Sequence, residues 1–282
     1  MDIQLATERL LVLEERLRFD ELRQRAMDRR TQAFVSGLGS LLQRPKVDDI
    51  VHTATQRRIE PFWHVACRAR YVYERSRPYT VPVSGPEVQS VAIHGKSYDV
   101  SSTGGPNRSF NLPVQEMCRE EFSREAYLDG VTGAVVAEAQ QLVSGPSLVV
   151  DDPETLGADG TTVVGPEQRS SFVVRKLISE MMKPVQADTV EEESIVLEAT
   201  DLYYRPVYAF EFHWTTRDKK GVLEIDGITG QMRQAAGLLP GLKGRVTKDL
   251  LFDIGADTAG MLIPGGSIAL KVARAAMEKQ HS

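Results

Sequence analysis

A chain of 282 residues can bury one large core or two modest ones. Its 41% apolar and 26% charged residues exclude wholesale disorder, collagen and a disulfide scaffold. The 34 basic and 39 acidic residues leave a net charge of −5, which argues against a globally basic nucleic-acid binder and leaves only a local patch open.

The first residues, Met1 to Arg9, lack the basic segment and apolar run of a signal peptide, and no uncharged apolar run reaches the ~18 residues of a membrane span. These features predict a cytoplasmic chain without a transmembrane segment. Residues 6–42 predict one long helix or two, with Leu10, Leu13 and Leu17 on one stripe and Phe34, Val35, Leu38 and Leu41 on another. Arginines and acids interleave along it, giving a solvated face rather than a basic arm.

Residues 50–61, IVHTATQRRIEP, align without gaps on residues 195–206, IVLEATDLYYRP, at an offset of 145. After Pro61 and Pro206, each expected at the start of its strand, both copies alternate with period 2. Trp63, Val65, Cys67, Ala69, Tyr71 and Tyr73 share one face of the first, opposite His64, Arg68 and Arg70. Tyr208, Phe210, Phe212 and Trp214 share the matching face of the second, opposite Glu211 and His213. The first strand is expected to turn back at Tyr79–Val83, the second to pair with Gly221–Ile225. His94-Gly95 marks a hairpin within residues 91–100. Pro113, Val114, Met117, Cys118 and Phe122 predict a helix ending at Asp129-Gly130. A short helix should reach Leu142, and Val173, Leu177, Ile178 and Met181 predict another after Pro166. Leu250, Leu251, Ile254, Met261 and Leu262 form an apolar stripe near the C-terminus, and Pro264-Gly265-Gly266 precedes a last helix to about Gln280.

Helix, then meander, then the Asp226-Gly227-Ile228-Thr229-Gly230 turn is the order of elements over residues 166–233. This stretch resembles the PepSY-like module, a small αβββ fold whose closing strand ends in an Asp-x-x-Thr-Gly turn. The resemblance implies a binding or inhibitory module rather than an enzyme. PepSY-like proteins are usually exported, which this chain's N-terminus does not suggest.

Gly95-Lys96-Ser97 echoes the end of a phosphate-binding loop, but no helix N-terminus follows to seat a phosphate. Gly37-Leu38-Gly39 lacks the third glycine of a dinucleotide fingerprint. His64 and Cys67 could offer two metal ligands, with His52, His94, Cys118 and His213 in reserve, but alternation sends His64 and Cys67 to opposite faces. The acids Asp151, Asp152 and Glu154, and Glu191 to Glu193, suit turns and strand ends. The sequence thus predicts no catalytic residue, metal or cofactor. One polar feature stands out: Arg57, Arg58, Arg68, Arg70, Arg75 and Arg77 cluster in the first copy, where a sheet face could track a polyanion.

The expectation is an α+β protein of two related antiparallel-sheet modules with flanking helices: 1–44 helical, 45–145 and 146–236 the modules, 237–282 a helical tail. It is expected to be a non-enzymatic interaction or assembly protein that binds itself or a protein partner through Leu10, Leu13, Leu17, Leu250, Leu251, Ile254 and Leu262. The alternative is a nucleic-acid or polyanion accessory protein that uses the arginines.

Overall fold

A computed structural model describes residues 2–35, 45–102, 108–182, 184–235, 237–238, 246 and 251–252. The chain is mostly β, and one ten-stranded mixed sheet dominates it. This overturns the expected α+β pair of modules, because the two repeated stretches are neighbouring strands of that sheet. The first lies in β3 (Ile50–Val83) and the second in β10 (Thr189–Trp214), paired antiparallel along the whole of β10. Glu60 faces Arg205, and these are also equivalent positions of the repeat, so a local two-fold axis passes between them.

The remaining strands flank this pair end to end. β1 (Asp2–Gln4) and β2 (Glu8–Leu13) run parallel to β10, and β11 (Lys219–Asp226) continues the same side, followed by β12 (Met232–Ala235). Beside β3 run β7 (Arg108–Asp129) and β9 (Thr162–Val163), while β8 (Ser147–Val149) pairs with β2. β4 (Ser90–Ile93) and β5 (Lys96–Asp99) form the expected hairpin, with His94 and Gly95 both at positive φ, and β6 (Ser101–Ser102) returns to β7.

Pro61 and Pro206 sit in mid-strand rather than at strand starts, in positions where a missing N–H leaves no acceptor unpaired. β9 pairs with β3 up to Ile59 and β7 pairs from Phe62, so Pro61 occupies the gap between two neighbours. Pro206 occupies the same gap between β2, which ends opposite Tyr204, and β11, which begins opposite Val207. A glycine turn closes each gap: Gly130 N donates to Pro61 O and Gly227 N to Pro206 O, both at 2.9 Å. The Asp226–Gly230 turn has a counterpart in Asp129-Gly130-Val131-Thr132-Gly133. In each, one aspartate oxygen accepts from two following backbone N–H groups, and the last glycine has φ near +70°.

The helices interleave the two halves. α1 (Phe19–Asp28) buries Leu22 and Ala26 against Tyr208, Phe210, Phe212, Leu223 and Ile225. α3 (Ser170–Met181) buries Val173, Val174, Leu177 and Ile178 against Trp63, Val65, Cys67, Ala69 and Tyr71. Each helix is led in over the other half's turn: Arg16 and Leu17 N–H donate to Gly227 O, Glu167 and Gln168 N–H to Gly130 O. Leu202 and Tyr204 contact the α3 cluster, while Tyr208 and Phe210, on the same face of β10, contact the α1 cluster. Both helices therefore cover one side of the sheet. The other side carries a smaller apolar patch, in which Phe62 and Tyr203 stack under Val136, Ala139 and Leu142; the last two belong to α2 (Ala139–Val143).

Three local expectations fail for identifiable reasons. Residues 6–42 are not one or two long helices: residues 8–13 are a strand, α1 spans one short helix, Arg30–Phe34 is a 3₁₀ turn, and residues 36–42 lie outside the described residues. The expected helix after Pro113 is β7, and β3 runs through Tyr79–Val83 without turning back. The C-terminal stripe is described only at Leu251, which is buried with Val246 and Phe252 in the main core, Phe252 edge-on to Trp63. Leu250, Ile254, Met261, Leu262 and the last helix lie outside the described residues.

A Cβ added at Gly130 would lie 2.8 Å from Pro61 Cβ and 2.9 Å from Pro61 O, whereas at Gly227 the nearest atoms are 3.2 Å away. We therefore expect Gly130→Ala to lower the unfolding free energy by about 1–3 kcal/mol and Gly227→Ala by less, measured by urea denaturation.

Candidate functional site

The side of the sheet opposite α1 and α3 carries two dense polar clusters beside the local two-fold axis. At the axis, Arg58 is fully buried; its Nε donates to Glu60 Oε1 at 2.7 Å and its guanidinium also binds Glu224. Arg233 closes the ring, donating from Nη2 to Glu60 Oε2 at 2.6 Å and pairing with Glu224, while Arg205 approaches Glu60 at 3.4 Å and Glu138 at 3.7 Å. Strand register assembles it, since β3, β10, β11 and β12 each place one or two of these side chains on the same face. Burial alone would push the Glu60 carboxyl up, but Arg233, Arg58 and Arg205 outweigh it and hold its pKa below the ordinary value.

The second cluster centres on His64. Its Nδ1 lies 3.1 Å from a fully buried Asp201 oxygen and its Nε2 2.8 Å from Glu125. Arg9 grips Asp201 with two 2.7 Å hydrogen bonds, and the Tyr127 ring stacks on the imidazole at 4.8 Å. Burial disfavours imidazolium, but the bonds to Asp201 and Glu125 prevail and raise the pKa of His64. Asp201 is likewise lowered: its bonds to His64 and Arg9 exceed the cost of burial. Both imidazole nitrogens and both Asp201 oxygens are engaged, so the cluster is a closed ion-pair network. Sequence reasoning assigned His64 to the correct face and missed its partners, because Asp201 and Glu125 come from strands paired across 137 and 61 residues.

The six arginines do not gather into one patch. Arg57 reaches the helix-covered face, where it binds Glu15 at 2.9 Å and Asp159 at 2.5 Å. Hydrogen bonds from Thr161, with Arg57 beside them, hold Asp159 at a pKa of about 2. Arg58 is inside the buried ring. Arg68 pairs with Glu198 at 3.2 Å, Arg70 with Glu192 at 3.3 Å and Glu121 at 3.5 Å, and Arg75 with Glu116. Arg77 is exposed beside Glu116, whose carboxyl it helps to lower. The expected docking leucines sit in the chain's own core: Leu10, Leu13 and Leu251 are buried and Leu17 packs against the α1 cluster.

Cys67 is buried on the opposite face from His64, and burial pushes its thiol up to about 11. Among the described residues no three His, Cys, Asp or Glu side chains gather as metal ligands, and no helix is long and apolar enough to cross a membrane. Gly95-Lys96-Ser97 belongs to the β4–β5 hairpin, where Lys96 lies over the Tyr98 ring at 5.6 Å.

β3 and β7 extend past the end of β10, which meets β3 last at Glu74. Residues 75–83 and 108–116 therefore form a two-stranded ribbon that leaves the sheet and carries the β4–β5 hairpin near its tip. Tyr79 is half exposed on this ribbon, and Met117, where it leaves the sheet, is 78% exposed. No protein-family profile, curated protein or solved structure matches the chain.

Removing Arg58 takes the buried cation from Glu60 and Glu224 and leaves them to share Arg233, so Arg58→Ala should cost about 3 kcal/mol, against less than about 1 kcal/mol for the exposed Arg68→Ala, in urea titrations. Because the folded pKa of His64 is raised, its contribution is fully present below the unfolded value of about 6.5 and disappears as pH rises through the higher folded value. Urea midpoints at pH 5.5 and 8.5 should fall with pH by a margin that His64→Gln reduces.

Proposed function

We propose that this chain is a non-enzymatic protein-interaction or assembly protein that presents the ribbon of residues 75–83 and 108–116 to its partner. The observation that carries the reading is the ribbon itself. A two-stranded hairpin is marginal in water without a third strand or a helix; this one projects from a large sheet with β6 and the β4–β5 hairpin packed only at its tip, where Phe110 is buried against Tyr98, and it leaves residues 76–80 exposed. Pro78 and Pro113 face each other across it, and Pro82 follows at the same phase, so all three aim their missing donors at its outer edges. Prolines there hinder indiscriminate strand addition, which favours recognition by side chains such as Tyr79.

Two further features support binding rather than catalysis. His64 and Asp201 are tied into a closed network, and Arg58 is held in the interior by Glu60 and Glu224 of the same chain. The polyanion alternative draws less support, since Arg57, Arg58, Arg68, Arg70 and Arg75 each have an acidic partner within the chain.

Size-exclusion chromatography with light scattering tests the reading on the full chain. A mass above 31.3 kDa that nuclease leaves unchanged, and that falls to the monomer when Tyr79→Ser and Met117→Ser are introduced together, is the expected result. A monomer at every concentration counts against self-assembly, and a nuclease-sensitive complex would replace it with the polyanion reading.

A further inference from the structure

The outer edge of β7 supplies a second surface of a different kind. Pro78 and Pro113 lie directly opposite each other, and neither has an N–H to exchange, so theirs is a non-hydrogen-bonded pair. By alternation, every odd-numbered residue of β7 points its N–H and C=O away from β3. The bonds at the end of the strand agree: Val136 N donates to Tyr127 O at 3.0 Å and Asp129 N to Ala134 O at 2.7 Å. Among the described residues no strand pairs with this edge from Asn111 to Glu125. Unlike the ribbon tip, its lower part, Gln115 to Glu125, has no proline.

At its lower end the open edge runs into a groove of about 320 Å³ between β7, the 135–137 segment and α3. Leu128, Val136, Val173 and Leu177 line its floor, and Val135 stands 76% exposed at the rim. Two cations and two carboxylates flank it, and Glu125 is already engaged by His64 at 2.8 Å. Arg124 is engaged by Glu180 at 3.4 Å, whereas Lys176 is exposed and has no ion pair among the described residues. A strand edge beside a helix, with an apolar pocket between them, is the geometry of peptide recognition by strand addition.

We propose that this groove binds one extended peptide, which pairs with β7 over residues 119–125, seats an apolar side chain between Leu128 and Leu177, and sets an adjacent acidic residue against Lys176. The proposal rests on the protein-interaction reading and gives it a partner chemistry. A second copy of β7 cannot take the place of the peptide. β6 closes one end of the edge at Ser109 and residues 134–136 close the other at Tyr127, and a 22-residue strand laid antiparallel on its twin would overrun one of these closures.

The test uses the full chain as bait for a phage-displayed library of random linear dodecapeptides. The expected outcome is a shared motif of an apolar residue next to Asp or Glu, and a synthetic peptide bearing it whose Kd weakens at least tenfold for Ser123→Pro, Lys176→Glu and Val135→Asp. Ser123→Pro removes one outward N–H and, as Pro113 does, leaves the ladder to β3 intact. Val135 and Lys176 are exposed, so those variants keep the fold, as circular dichroism would verify. No common motif, or a peptide that binds Ser123→Pro as tightly as the parent chain, overturns the proposal. So does a variant that leaves peptide binding unchanged and instead lowers the mass of the chain in light scattering, which would assign the edge to self-association. The two readings separate: peptide capture that survives Tyr79→Ser and Met117→Ser, in a chain that is monomeric throughout, would sink assembly through the ribbon and leave the groove standing.

Discussion

The antiparallel contact between β3 and β10 is the constraint on which the rest of the molecule depends. Two strands of 34 and 26 residues pair in nearly continuous register, and at about 3.3 Å per residue neither fits within one small module. A strand that long needs different neighbours at its two ends, so the flanking strands are short and laid end to end. The joints between them are where a ladder donor would go unpaired, and at each joint the chain has a proline. The glycine turn beside each proline then supplies the N–H that its carbonyl needs. Pro61 with Gly130, and Pro206 with Gly227, are two instances of one solution related by the local two-fold axis.

The same axis explains why the sequence suggested two modules and the structure has one sheet. Similarity between residues 50–61 and 195–206 is real, and their inward faces match as alternation required. Pairing partners are not encoded in such a match. Both copies are strands, and each found its central neighbour in the other copy while its helix crossed to cover the other half. The burial of α1 against Tyr208 and Phe210, and of α3 against Trp63 and Val65, follows from the chain leading over the opposite turn before each helix begins.

Where local reading failed, the periodicities were degenerate. In β7 the residues Val114, Cys118 and Phe122 recur every four positions, a spacing common to a helix face and to alternate residues of a strand. Met117 would have decided it: on a helix it shares their face, and in the structure it is 78% exposed. At the N-terminus Leu10, Leu13 and Leu17 mimic a helical stripe, but Leu10-Leu11-Val12-Leu13 is an unbroken apolar run, the mark of a parallel strand covered on both faces. The strand faces, the β4–β5 hairpin, β11 and α3 were legible because turn residues or strict alternation bounded them. The His64 cluster was not, since its acids approach through register alone.

Charge follows the same logic. Arginines close in sequence, at 57, 58, 68, 70 and 75, invite a reading as one basic face, but alternation and the bulges in β10 distribute them over two faces and several neighbours. Each meets acids, eight carboxylates to five arginines, and all but Glu60 come from other strands or loops. A polyanion arriving at this sheet would have to displace carboxylates already within 3.5 Å, and for Arg58 would have to do so in the interior, where an unpaired acid is expensive. Those arginines are thereby committed to holding long strands in register, and what the ladder leaves unused is the ribbon beyond Glu74 and the outward edge of β7.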